Sequence, residues 1–510
     1  MSNSANNKRI AKNTILLYFR MLLTMGVSLY TSRIVLNTLG VEDFGIYNVV
    51  GGVVIMFSFL NSSMSSATQR FLSFELGKGD YEQLKKVFSM SVNIHAVIAI
   101  AIFILAETIG LWFLNAKLNI PDQRMEAANW VYQFSILSFM LTVMGVPYNA
   151  TIIAHERMNV YAWVSIIEVV LKLAIVFVLV WFGFDKLKLY AVLVFGVTTV
   201  TWTSYRFYCK QHFTESKYRF AWDKSLFKTL MNYAGWNLFG NVAAVAYNQG
   251  INIMLNIFFG PVINASRGIA YQVNGAVSGF VSNFQMSMNP QIVKSYAANE
   301  QKYMQQLIFQ GSKYSFFLLF FLTLPVLLQT ETLLRWWLKI VPDYAVLFCQ
   351  LILVDTLINC ISGPLMTAAQ ATGKIKVYQA IVGGILLFNV PVSYLFLKLG
   401  YEPQVTLFVT ISLSLTALLA RLIILRNLMN FSAKEFISQV LLKALLVAAL
   451  SLVLPLLAIQ FVEQEVIRFF CICLISALSV SLMVYFVGLK QQERDFLKIK
   501  IVQAIHKKRN

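Results

Sequence analysis

Runs of about 20 apolar, nearly uncharged residues follow one another along this chain, separated by short charged segments. A run of that length, wound as a helix, crosses the roughly 30 Å hydrocarbon layer of a bilayer. In lipid every backbone N–H and C=O must find its partner within the segment, so each run is expected to be a transmembrane helix. The balance of residues agrees, because 58% are hydrophobic and only 13% are charged, where soluble domains carry about a quarter charged residues. A soluble multidomain enzyme is excluded. Fourteen crossings at about 22 residues each would use roughly 310 of the 510 residues and leave the rest for loops and tails.

The runs fall near residues 13–36, 45–68, 87–113, 127–150, 160–182 and 189–209, then 230–258, 264–290, 307–330, 345–369, 376–398 and 405–425, and finally 437–461 and 466–488. The expected organisation is all-α: a six-helix lobe over 1–209, a polar basic connector over 210–229, a second six-helix lobe over 230–426, two further helices over 437–488, and a basic tail over 489–510 ending Lys507, Lys508, Arg509. The net charge of +19 gathers in alternate loops rather than in a separate basic domain, so it argues for topology and not for nucleic acid. Positive loops resist translocation, and with the amino terminus inside most of the lysines and arginines face the cytoplasm. Both termini are therefore expected to be cytoplasmic. The first 13 residues are polar and basic with no small-residue cleavage site behind a short apolar core, so the first span is read as a retained anchor. The five cysteines lie mostly in apolar runs without CxxC spacing and are read as packing residues.

The two six-span halves repeat each other. Pro147, Ala154, Arg157, Val160 and Tyr161 recur 217 positions later as Pro364, Ala371, Lys374, Val377 and Tyr378. Gly45, Tyr47, Gly51, Ser58, Met64 and Arg70 recur at an offset of 223 to 224 as Gly268, Tyr271, Gly275, Ser282, Met288 and Lys294. An even number of spans per copy makes the repeats parallel, related by an axis along the membrane normal, with a substrate path expected between them.

Polar side chains are costly in hydrocarbon, so a polar stripe on a spanning helix must meet another helix or water. At about 100° per residue, Asn13, Arg20, Thr24, Ser28 and Thr31 share an arc of about 80° on the first span. Arg267, Tyr271, Asn274, Ser278, Ser282, Gln285 and Asn289 do so on the eighth. The seventh aligns Asn237, Asn241, Asn248, Asn252 and Asn256, and the second Tyr47, Ser58, Ser62, Ser65 and Gln69. Hydrogen-bonded glue between helices explains any one of these residues. Four stripes at repeat-related positions favour a water-filled cavity.

Arg20 lies about 10 Å into the first span, and its planar, permanently charged fork suits phosphate. Its alternatives are snorkelling to the headgroups and pairing with an acid. Arg33 is off the stripe, and Arg267 is a second phosphate or headgroup contact. With them, Thr24, Ser28, Asn241, Asn248, Asn274, Ser278 and Gln285 form the expected substrate-binding set. Glu168 and Lys172, four residues apart, share a face and suit either a structural ion pair or an ion-coupling site. Asp355, with Asn359 and Ser362 on its face, is a second coupling candidate. The four histidines are scattered, and neither HExxH nor a GxxxxGK[ST] loop occurs, so no catalytic residue, metal site or bound cofactor is expected.

Fourteen spans in two parallel halves, the LN…G…GIYNVV segment at 36–50 and TQRFLSFELGKGD at 68–80 resemble a polysaccharide-type flippase of the multidrug/oligosaccharidyl-lipid/polysaccharide exporter (MATE-like) superfamily. The resemblance implies two lobes in a V around a central cavity through which a prenyl-diphosphate-linked oligosaccharide is turned from the inner to the outer leaflet, with basic residues meeting the diphosphate. It implies alternating access in the cell inner membrane, driven by Na+ or H+ or by the membrane potential. A glycan polymerase or glycosyltransferases are the implied partners, and the last two helices would hold the lipid tail. The drug-exporting branch commonly carries an acid in its first span, whereas this one has Arg20 and Arg33 and no acid. A drug or cation exporter and a membrane glycan-processing enzyme are the alternatives.

Overall fold

In the computed structural model the described residues are 3–55, 58–118, 120–181, 185–338, 341–462, 464–491 and 493–495. The side chain of Arg33, the end of the tail and its Lys507, Lys508 and Arg509 lie outside them. Among the described residues the chain is built of helices and turns without a strand. Helix α1 (Asn3–Ile55) is followed by α2 (Ser58–Lys78), α3 (Tyr81–Leu105), the short α4 (Leu111–Lys117), α5 (Asp122–Ala154), α6 (Met158–Trp181), α7 (Lys186–His212), α8 (Lys224–Phe259) and α9 (Pro261–Ala297). Then come α10 (Gln301–Leu328), α11 (Thr330–Leu338), α12 (Ala345–Ala371), α13 (Lys376–Leu387), α14 (Asn389–Lys398), α15 (Val405–Met429), α16 (Ala433–Phe436), α17 (Leu442–Phe461) and α18 (Glu465–Met483).

Twelve helices among the described residues are long and apolar enough to cross a membrane. The two expected spans outside that set are the second and the eighth. The second, near 45–68, runs across residues outside the described set, whereas the eighth lies wholly on α9, whose dense polar stripe takes it below the hydropathy of a lipid-exposed crossing. The first and second spans are not separated by a loop. Helix α1 carries the first span and the beginning of the second, to Ile55, and breaks its helical path only at Gly40, whose φ of 83° is open to glycine at no steric cost.

The chain forms two compact units. The first holds the residues up to Val242 together with two stretches from the second repeat, Met286–Met304 and Gln370–Ala380. The second holds Ala243–Gln285, Gln305–Ala369 and the chain from Ile381 onward. In the first unit α5 is central, packed on α2, α3 and α7, and its second half is almost wholly buried from Val143 to Ala154. Its core near the chain start joins Met64, Leu72, Phe88, Met90, Ile152 and Leu230. At the opposite end Arg124 sits between Asp43 and Asp185, 2.5 and 2.7 Å away, and ties α1, α5 and α7. Burial alone would raise the Asp185 carboxyl, but Arg124 and the Leu187 and Lys188 amides outweigh it and hold its pKa below the ordinary value.

Candidate functional site

Within the first unit a cavity of about 560 Å³ opens among α2, α5, α6 and α7. Its wall is polar at every level: Asn61 and Ser65 come from α2, Thr142 and Asn149 from α5, Ser165 from α6, and Thr198 and Thr201 from α7. The helical period puts them there, since positions three or four apart share a face. Gly145 keeps the α5 wall low, where a Cβ would meet Trp202 at 3.5 Å. Glu168 and Lys172 line the same cavity and are paired, Nζ to Oε1, at 2.7 Å. Both side chains remain partly exposed, 34% and 43%, so the carboxylate is open to an ion that displaces the lysine. Tyr161 forms another part of the wall, and the Arg20 guanidinium rests 4.8 Å from its ring centroid. Glu168 and Lys172 thus line the polar space, and Arg20 stands against a residue of its wall.

The rest of the α1 stripe divides. Asn13 is buried and donates to the Glu156 carbonyl at 3.0 Å. Thr14, its buried neighbour, shares a 2.8 Å hydrogen bond with Ser287. Thr24 bonds back to the Met21 carbonyl at 3.1 Å, and Ser28 is exposed. Asn241 donates to Ser62 and Ser63, at 3.3 and 2.9 Å, and so joins α8 to α2.

In the second unit Arg267 is 2% exposed and enclosed by acceptors. It donates to the Asn248 carbonyl at 3.2 Å, to the Asn252 side chain, and to the Tyr271 hydroxyl at 3.2 Å. Tyr271 in turn donates to the Asn248 side-chain oxygen at 3.1 Å. This is a cross-brace between α8 and α9. Asn274 accepts from Thr356 at 2.7 Å. Ser278 reaches only its own helix, at the Gly275 carbonyl 3.5 Å away. Gln285 donates to Ser315 and to the Cys360 carbonyl at 3.0 and 2.9 Å, filling the space over Gly363 that a Cβ would occupy. Asp355 accepts from Ser414 at 2.6 Å and from Asn359 at 3.0 Å, with no ion pair among the described residues. A carboxylate held by neutral donors is suited to exchanging a proton or a small cation.

A second constellation lies at the end of the first unit where the chain begins. Glu156, its side chain 0% exposed, is paired with Arg9 at 2.8 Å and Lys294 at 2.7 Å. It occupies the left-handed turn that ends α5, at φ 59°. Arg70 donates to the Gln370 and Ala371 carbonyls at 3.2 and 2.6 Å, and its guanidinium meets Gly373, at φ 74°, in the turn that ends α12. Glu156 and Gly373 are 217 apart, and Arg70 and Lys294 are 224 apart, the offsets of the repeat. The sequence placed the cations in register, but it held no sign of which turn each one reaches.

Membrane-length helices around a polar, ion-pair-lined cavity define a polytopic membrane protein. The chain matches the polysaccharide biosynthesis protein family over residues 10–296, more than half its length, and belongs to that family. It is 22% identical over 159 residues to the uncharacterized membrane protein EpsK of Bacillus subtilis (strain 168), a match spanning 31% of each chain. Among solved structures it is similar to an outward-facing multidrug resistance MATE family transporter, with TM-score 0.69 and 13% identity over 81% of this chain and 94% of the other. It is also similar to a mutant form of the Vibrio cholerae MATE transporter VcmN, with TM-score 0.65 and 18% identity over 83% and 98%. A third is a Pyrococcus furiosus transporter described as having a binding pocket of reverse polarity, with TM-score 0.66 and 14% identity over 84% and 96%. At these identities the likeness is one of fold.

Proposed function

We propose that this protein flips a prenyl-diphosphate-linked oligosaccharide from the inner to the outer leaflet of the cell inner membrane, by alternating access and with both termini in the cytoplasm. The observation that carries the reading is the charge on the first helix. Residues 13–36 hold Arg20 and Arg33 and no acid, and Arg20 lies on Tyr161 at the edge of the polar cavity. An organic cation is repelled there, whereas a diphosphate is offered a fixed fork of donors. Membership of a polysaccharide biosynthesis family supports a glycan cargo. The prenyl tail stays in lipid while the headgroup crosses. Glu168 with Lys172, and Asp355, are the coupling sites for Na+ or H+, and glycan polymerase or glycosyltransferases are the partners that supply and use the cargo.

The test is a vesicle assay with purified protein and fluorescent prenyl-diphosphate sugar. Wild type is expected to move the lipid between leaflets unchanged, and Arg20→Gln to slow transfer at least tenfold while the protein inserts normally. Unimpaired transfer by Arg20→Gln would remove its diphosphate role. Efflux of a cationic dye without lipid transfer would favour the drug exporter, and a chemically altered glycan the enzyme.

A further inference from the structure

A second cavity in the first unit, of about 520 Å³, has a different character. It lies where α7 ends and the connector begins, and it is lined by Tyr148 on α5, by Trp202, Arg206 and Lys210 on α7, and by Lys217 and Tyr218 on the connector. The three cations flank the turn over Thr214–Ser216, two before it and one after, and among the described residues none of them is paired with a carboxylate. Glu215, close by in sequence, is 3% exposed and is engaged by His155 at 2.5 Å. Arg206 is held 5.0 Å over the Trp202 ring, which fixes its fork at the cavity.

The connector is fastened in place. Tyr218 donates to the Asn93 side chain at 2.7 Å, and Asn93 donates to the Ala221 carbonyl at 3.0 Å. Around this strap Phe207, Phe220 and Trp222 are exposed by 62%, 76% and 53%, interspersed with Arg219 and Lys224. Exposed aromatic rings mixed with lysine and arginine at the end of a spanning helix are the composition of the headgroup layer. Cations without acidic partners in that layer attract phosphate, and the volume is in the range that accepts a ligand larger than a bare anion.

We propose that this cavity binds the phosphodiester headgroup of an anionic phospholipid from the adjoining leaflet, with Arg206, Lys210 and Lys217 as its ligands and Trp202 and Tyr218 flanking the glycerol. The site shares Trp202 with the polar cavity, but Arg206, Lys210 and Lys217 line this one and not the other, so it stands or falls without the cargo reading above. The lipid would anchor the connector that joins the two repeats.

The probe is phosphatidylglycerol with brominated acyl chains, titrated into full-length protein in zwitterionic detergent, with quenching of Trp202 read as the difference from Trp202→Phe. Saturable quenching is expected. Each of Arg206→Gln, Lys210→Gln and Lys217→Gln should weaken it about fivefold, as expected for one cation near an anionic surface. Arg206→Lys and Lys210→Arg, which keep the charge, should restore most of the affinity and show that the fold is intact. Brominated phosphatidylcholine binding equally well, or a triple Gln variant binding like wild type, would overturn the proposal. Competition by glycerol phosphate or inorganic phosphate at the same concentrations as the lipid would overturn its lipid source and leave a soluble-anion site.

Discussion

Arg70 and Lys294 stand at equivalent positions of the two repeats, and each reaches the left-handed turn that follows the fourth span of the opposite repeat. The two contacts are chemically unlike. Lys294 meets a carboxylate, Glu156, which is fully buried and also held by Arg9 and by Asn13 at its carbonyl. Arg70 meets no carboxylate there. It caps the last carbonyls of α12, where the helix dipole is negative, and its flat face rests on Phe71 and Phe74 at 4.5 and 4.3 Å. The turns differ to match: Gly373 leaves room for the guanidinium, while Glu156 holds φ 59° although it is not glycine. A duplicated scaffold has kept the geometry of a contact while one copy relies on buried charge and the other on orphan carbonyls. Under the alternating-access reading these are contacts that must open in the transport cycle.

The largest expected effect follows from the buried carboxylate. Glu156→Ala leaves Lys294 buried without its counter-charge and should cost about 3–5 kcal/mol, read as a loss of thermal or denaturant stability in detergent. The double variant Glu156→Ala, Lys294→Met removes both charges and should recover more than half of that loss. Arg70→Ala should cost less, about 1.5–3 kcal/mol, the range for a hydrogen bond made by a charged group. If Arg70→Ala proves the more damaging, the distinction between the two ends is wrong.

A smaller change sharpens the comparison of the turns. Gly373→Ala places a Cβ at positive φ and 3.0 Å from the Arg70 guanidinium, and should cost on the order of 1–2 kcal/mol. The cost should fall when Arg70 is replaced by Ala, because the backbone part remains and the steric part is gone. An identical cost in both backgrounds would mean that Arg70 does not lean on this turn.

How much of this was legible in the sequence depends on which force sets each feature. Burial of apolar runs dominates in lipid, so the helices and their order could be read directly, whereas span eight falls below span-like hydropathy because its polar stripe dilutes it. The stripes were visible, but their uses were not. Asn241, Arg267, Asn274 and Gln285 all lie on them and all bond to neighbouring helices, because a hydrogen bond depends on a partner distant in sequence. Glu168 and Lys172 were readable as a pair because four residues make a helical neighbour, but the cavity they line needed α2, α5 and α7 in place. Glu156 gave no signal, since one acid in a turn looks solvated until Arg9 and Lys294 close over it.

The finest distinction between the two ends is their response to pH. Lys294 lies beyond the expected eighth span. Burial lowers its pKa below the ordinary lysine value, and Glu156 opposes that shift without cancelling it, while the Arg9 charge adds to it. Between the lowered folded value and about 10.5 the unfolded chain therefore holds more protons at this lysine than the folded one, so its contribution to stability rises with pH across that window. Below the window both states are protonated and the slope vanishes. The rise cannot exceed about 1.4 kcal/mol per pH unit for one proton. Wild type should gain stability relative to Lys294→Met as the pH is raised from neutral toward 10. Arg70→Lys puts a lysine at the equivalent position, where Glu75 acts on the cation only through space and burial outweighs it, so it should add a second rise of the same sign. Parallel pH profiles for all three proteins would mean that the lysine end is as well solvated as a surface residue, and the buried-charge account of the Glu156 turn would fail with it.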